Sequence, residues 1–138
     1  DTQSSTSQTF ADVTGMSVSI TPSSTSSKIL AFGYCSIAYD NGLAKAAINL
    51  VRDTTNILIG DAAGSRQRLT GFVYVQENNY APVPLQFNFL DSPSTTSATT
   101  YKIQGTKNNA SGTFYVNRKG ADTTVGGASS ITVMEVAG

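Results

Sequence analysis

Met16, Val18 and Ile20 alternate with Ser17, Ser19 and Thr21, and the same period of two returns in almost every later segment of the chain. Side chains two apart share a side only on an extended strand, so this pattern leaves an amphipathic helix no apolar stripe. The run KILAFGYCSIAY, Lys28 to Tyr39, is apolar at both parities, as in a strand buried within a sandwich. It stops at Asp40-Asn41-Gly42, where Asn-Gly suits a tight hairpin turn. LAKAAINLVRD follows; its alanines suit a helical turn, but Ile48, Leu50 and Arg52 alternate with Ala47, Asn49 and Val51, and it reads as a strand. ILIGD, RLTGFVYVQ, PLQFNFLD, TTYKIQGT, GTFYVNRK and SSITVMEVA complete a set of about nine strands. Spacings of this kind, punctuated by Gly, Asn, Asp and Pro, predict an all-β, antiparallel β-sandwich or barrel.

The stretch LDSPSTTSATTYKIQ, Leu90 to Gln104, has the composition of a linker between domains. A linker would open a new self-sufficient pattern, whereas here the same alternation simply resumes at Thr99 and Thr100. It is therefore expected to join two strands, with Asp91, Ser92 and Pro93 as turn formers. A length of 138 residues fits one domain, 13–138. Residues 1–12 read as a polar lead-in from an upstream region, since DTQSSTSQTF is rich in Ser and Thr and begins without Met.

Charge narrows the function classes. Nine basic residues balance nine acidic ones, and only 13% of the chain is charged. A duplex nucleic-acid binder normally presents a basic face, and Arg66, Arg68, Arg118 and Lys119 are too few to build one. No apolar run approaches the roughly 20 residues that a membrane-spanning helix needs, so membrane insertion is not expected. The single Cys35 lies inside the apolar run and is expected to pack as a small hydrophobe.

With no histidine, catalytic Ser-His-Asp and Cys-His systems and histidine metal sites are excluded. Asp40, Asp53, Asp61, Asp91 and Asp122 fall in or beside predicted turns, where Asp usually bonds its own backbone rather than forming a glycosidase pair. Gly60 to Gly64, GDAAG, lacks the Lys-Ser/Thr of a phosphate loop and reads as a tight hairpin loop. No calcium-loop pattern is present. The Asn109-Ala110-Ser111 triplet matches a glycosylation acceptor by type only. The expectation is a protein that is not an enzyme and has no cofactor and no metal.

Four phrases suggest a context. FADVTGMSVSITPSSTSSKIL, NLVRDTTNILIGDAAGSR, LDSPSTTSATTYKIQGT and SSITVMEVAG, in this order and over most of the chain, resemble the C-terminal head domains of phage tail fibres and related virion surface or decoration proteins. The resemblance implies a jelly-roll-like β-sandwich, similar to the heads of complement C1q and tumour necrosis factor proteins, assembled as a homotrimer on the virion surface. It also implies host adsorption through a surface glycan or outer-membrane protein, alongside contacts with other virion proteins. Phe72, Tyr74, Phe87, Phe89, Tyr101, Phe114 and Tyr115 are the pool for core and interface, with core expected for each. Sugar recognition needs aromatic faces and amide or carboxylate groups on loops. Glu77, Asn78, Asn79 and Tyr80 supply these in one predicted loop, and Tyr39, Asp40 and Asn41 in another. The competing expectations are a purely structural trimerisation, capping or capsid-decoration module and, far behind, a polysaccharide depolymerase fragment.

Overall fold

A computed structural model describes residues 2–40, 44–75, 81–108, 111–120 and 124–138. Among these residues there is no helix, and ten strands account for the regular structure: β1 (Gln3–Ser5), β2 (Ala11–Ile20), β3 (Lys28–Tyr39), β4 (Ala44–Arg52), β5 (Thr55–Ile57), β6 (Gly71–Val75), β7 (Val83–Asp91), β8 (Thr99–Lys107), β9 (Phe114–Val116) and β10 (Ser130–Val136). They form two five-stranded antiparallel sheets packed face to face.

In one sheet β3 is central. β7 pairs with it on one side, β10 and then β9 share the other, and β1 extends β9. In the second sheet β8 and β4 are inner strands, β2 borders β8, and β5 and β6 lie end to end along the far edge of β4. The chain changes sheet between β1 and β2, β2 and β3, β3 and β4, β6 and β7, β7 and β8, and β8 and β9, a jelly-roll-like alternation. The expected sandwich is therefore present, and LDSPSTTSATTYKIQ does connect β7 to β8.

Several local expectations are corrected. β3 and β4 lie in different sheets and so are not the paired arms of the hairpin expected at Asn41-Gly42, residues that themselves lie outside the described ones. The tight hairpin is instead at Asp53-Thr54, between paired Arg52 and Thr55, with Asp53 at φ +53°. ILIGD is not a strand: β5 ends at Ile57, and Leu58 at φ +51° turns the chain out of the sheet. GDAAG consequently sits in a long connection from 58 to 70, not a tight loop. Gln3–Ser5 and Ala11–Asp12, read as part of a lead-in, occupy sheet positions. β2 also carries a bulge between Asp12 and Ser17, where Gly15 takes φ +78° and both Val13 and Met16 turn inward.

The core is drawn from inward positions of both sheets. Ile29, Ala31, Cys35, Ile37 and Tyr39 come from β3, with Phe114 and Val116 from β9. They meet Ala46, Ile48 and Leu50 from β4 and Tyr101 and Ile103 from β8. Each large apolar side chain removed from water this completely contributes about 1.5–3 kcal/mol. Phe114 reaches across the sandwich to Gly105 of β8; a Cβ there would lie 2.5 Å from the ring, so that inward position is closed to every residue with a side chain.

At one end of the sandwich polar groups fasten the two sheets together. Asp91, at the end of β7, accepts two bonds from Arg52 Nη1 (2.9 and 2.8 Å) and one from the Tyr101 hydroxyl (2.7 Å). Its side chain is only 8% exposed, so it is an inter-sheet tie where a turn former was expected. Next to it, the Thr100 amide donates to Asp53 Oδ1 (2.9 Å) and the Asp53 amide to the Thr100 carbonyl (2.7 Å). At the same end the Ser23 amide and hydroxyl donate to Glu135 Oε1 at 2.7 and 2.6 Å.

Candidate functional site

Of the seven predicted binding residues, Glu77, Asn78, Asn79, Tyr80 and Asn41 lie outside the described residues. Tyr39 and Asp40 close β3 at the end opposite the polar ties. Tyr39 is fully buried and its hydroxyl donates to the Ser111 carbonyl, so its ring offers no face to a sugar. Burial, followed by the neighbouring Asp40 charge, raises its pKa. Asp40 Oδ1 accepts the Thr113 amide (2.5 Å), and Oδ2 accepts the Tyr115 hydroxyl (2.6 Å). Both residues fasten β3 to the approach to β9.

The described carboxylates are mostly engaged in the same structural way. Asp12 accepts from Lys102 Nζ (2.9 Å) and Gln104 Nε2 (2.8 Å), and these bonds, that of Lys102 foremost, hold its carboxyl below the usual range. The Ser23 hydroxyl bond does the same for Glu135. Asp40, Asp53 and Asp91 have the partners given above. Among the described residues no group of three or more Cys, Asp or Glu side chains is placed to hold a metal. Cys35 is buried, and loss of solvation pushes its thiol up to about 11, which leaves it protonated and inert at neutral pH.

The least explained feature is a surface: the outer face of the β3 sheet. Register places three rows across it, Leu90–Leu30–Met134, Asn88–Phe32–Thr132 and Gln86–Tyr34–Ser130. Leu90 is 47% exposed, Met134 55%, and Val136, beyond the first row, 43%. Phe32, Gly33, Tyr34, Gln86, Phe87 and Asn88 bound a shallow depression of about 430 Å³ on this face. Higher up the same face the chain covers itself. Arg118 lies over the Tyr115 ring, 4.4 Å from its centroid, and Gly127 packs on Ser36. Ser129 and Asn117 complete the cover, with the Ser36 amide donating to Ser129 Oγ (2.9 Å) and the Asn117 amide to the Ser36 carbonyl (2.9 Å). Below that cover Leu90, Met134 and Val136 are exposed around half-buried Leu30 and Phe32, and isolated apolar residues are ordinary on a surface while a contiguous group is not.

Sequence reasoning missed this face because it assigned the surplus apolar residues to the aromatic pool. Phe87, Tyr101, Phe114 and Tyr115 are indeed buried. Phe89 packs against the core from a partly buried position. Phe72 and Tyr74 are instead 56% and 49% exposed, outside the core expected for them. Leu30, Phe32, Leu90, Met134 and Val136 were outside the pool altogether. The signal was available: β3 and β10 are apolar at both parities, whereas β2 and β8 are apolar at one.

No protein-family model matches the chain, and no curated protein sequence is similar to it.

Proposed function

We propose that the chain is the trimeric head domain of a virion fibre, attaching to a host-cell surface glycan or outer-membrane protein. In this reading the outer face of the β3 sheet packs around the three-fold axis. The observation that carries it is the apolar surface of exposed Leu90, Met134 and Val136 with half-buried Leu30 and Phe32 between them, contiguous in register and lying beside a part of the same face that the chain covers itself. Across the three rows the remaining positions are Ser, Thr, Asn, Gln and Tyr, and the exposed Lys28 stands opposite Val136 at the margin. The three rows, uncharged themselves, meet their own copy without like-charge repulsion, and their amides and hydroxyls can bond across the axis. The number three comes from the resemblance to fibre heads.

Light scattering tests the assembly: the 14.4 kDa chain should run near three times its mass. A monodisperse monomer ends the assembly reading. Saturable binding of the labelled protein to candidate host cells tests attachment, with an Asn78, Asn79 and Tyr80 triple-alanine variant beside it. Binding lost in that variant alone places the site on its loop.

A second reading, a structural capping or decoration module without a receptor, is favoured by the internal bonding of Tyr39 and Asp40. A correctly assembled trimer that adsorbs to no host in a broad panel would favour that reading over attachment.

A further inference from the structure

Between β5 and β6 the chain leaves the β4 edge for residues 58–70, and this excursion is built rather than loose. The Gly60 amide donates to the Leu69 carbonyl (3.4 Å) and Arg68 Nε to the Gly60 carbonyl (2.5 Å). At its return, the Leu50 amide donates to Thr70 Oγ1 (2.8 Å) and the Thr70 amide to Asn49 Oδ1 (3.2 Å), which closes the gap that β5 and β6 leave along β4. Thr70 therefore replaces a missing strand residue, and the segment stands out over the open side of the sandwich beside β7.

The space between this segment and the β6 edge is a groove of about 650 Å³ whose walls include Asp61, Arg66, Gln67, Arg68, Phe72 and Leu85. The Phe72 ring, more than half exposed, forms one apolar side, and Tyr74 presents a second exposed ring two residues along the same face. Lys45 Nζ stands 5.9 Å from the Phe72 centroid. Two guanidinium groups, Arg66 and Arg68, thus share the groove with one carboxylate, Asp61, and neither Arg66 nor Asp61 has a side-chain hydrogen bond or ion pair among the described residues. Arg68 is anchored through Nε, which fixes its plane and leaves its two terminal nitrogens to donate.

We propose that this groove binds a carboxylated saccharide, a uronic-acid type of sugar, and so names the ligand class for the attachment reading on which it rests. Each part of such a ligand has a counterpart. A guanidinium receives a carboxylate through paired N–H donors, an aromatic ring receives the C–H face of the sugar, and Asp61 and Gln67 receive hydroxyl groups. A chain of zero net charge attracts duplex nucleic acid poorly, but one sugar carboxylate needs only one or two guanidinium groups.

The test is titration of the assembled protein with oligogalacturonate and with the methyl ester of the same oligosaccharide, followed by calorimetry or by chemical shifts of the Arg66, Phe72 and Tyr74 signals. The free acid should bind and the ester should bind about tenfold more weakly or less. Arg66→Gln should weaken the acid by a similar factor, Arg66→Lys by less, and Phe72→Leu should weaken acid and ester alike. Arg66 makes no side-chain contact that the fold needs, so its variants are expected to assemble normally. Equal affinity for acid and ester, an unaltered Arg66→Gln variant, or no measurable binding of the acid would each overturn the proposal, as would equal displacement by a short nucleic acid. Cell adsorption separates the two readings. Adsorption that survives Arg66→Gln removes this site and keeps attachment, whereas oligogalacturonate binding by a trimer that adsorbs to no cell keeps the site and removes attachment.

Discussion

The outer faces of the two sheets are built on equally apolar inner faces and yet present opposite surfaces. On the β4 sheet, Ser19 and Thr100 bond across strands at 2.8 Å, Ser17 stands opposite Lys102, and Asp12 stands opposite Gln104 and bonds to it. Along β2 and β8 that face satisfies its own polar groups in water. On the β3 sheet the corresponding rows run through Leu30, Phe32 and Tyr34, flanked by Leu90 and Met134. Inward residues make a sandwich fold, and both sheets have them. Outward residues report what the folded sandwich meets: on the β3 sheet the apolar ones run across its central strand, whereas on the β4 sheet the exposed rings, Phe72 and Tyr74, are confined to β6 at the edge. The difference is the physical basis for expecting the β3 sheet at an axis and the β4 sheet at the exterior.

The largest effect should come from charging the apolar face. Leu30→Lys with Met134→Lys would place cations where the proposed trimer brings its copies together, and each central interface position of this kind is worth roughly 2 kcal/mol or more. The scattering mass should fall to that of the single chain while the β-sheet circular dichroism stays unchanged. Ser17→Lys with Ser19→Lys on the β4 sheet is the matched control and should leave the mass unaltered. Equal behaviour of the two pairs would break the contrast between the faces.

Next in size is the inter-sheet tie. Arg52→Ala leaves the Asp91 carboxylate buried without its cation, at a cost of about 3–5 kcal/mol. Thermal unfolding should show the loss equally in the native assembly and in the charged-face monomer, because Arg52 lies on neither outer face. A loss confined to the assembled form would mean that the tie belongs to the interface.

How far this was legible in the sequence differs by level. Period two gave the sandwich, and the bounds of β3 coincide with the run KILAFGYCSIAY. What failed was where backbone geometry overrides composition. Asn41-Gly42 has hairpin chemistry, but β3 belongs to one sheet and β4 to the other, and no local signal encodes that assignment. Leu58 takes a positive φ that its residue type does not suggest, so ILIGD read as a strand. Asp91 and Arg52 stand 39 positions apart, and nothing local pairs them. The candidate loop residues Tyr39 and Asp40 had the right chemistry for sugars, but their burial and their partners on the approach to β9 depend on tertiary contacts. The groove was hidden for the same reason: Arg66, Arg68 and Phe72 become neighbours only because the 58–70 segment folds back on the β6 edge.

A smaller effect separates the interior from both faces. Cys35 and Tyr101 lie between the sheets. Burial pushes the thiol up to about 11, and burial together with the Asp91 carboxylate pushes the phenol well above its usual value. In both groups the folded state holds the proton more tightly, so stability is complete below the unfolded pKa values and declines as pH rises through the folded ones. For Cys35 the displacement corresponds to roughly 2–3 kcal/mol. Melting temperature should be level up to about pH 9 and fall above it, and Cys35→Ala should flatten that fall. The profile should be alike for trimer and charged-face monomer; a profile found only in the trimer would place titrating groups at the interface.

The smallest effect belongs to the polar face. Asp12 is 57% exposed at its side chain, and its bond to Lys102 is open to solvent and salt. Asp12→Asn should therefore cost about 0.5 kcal/mol, shrinking further in high salt. The sign with pH is opposite to that of the interior groups. A carboxyl held below its ordinary range stabilises the fold above that range, and the contribution disappears as pH falls through the depressed value. Comparing wild type with Asp12→Asn should thus show a difference at neutral pH that closes in acid, with assembly unaffected throughout. If that exposed pair proved as costly to remove as Arg52, the β4 face would be covered by something as well, and the distinction between a finished face and a face awaiting its partner would fail.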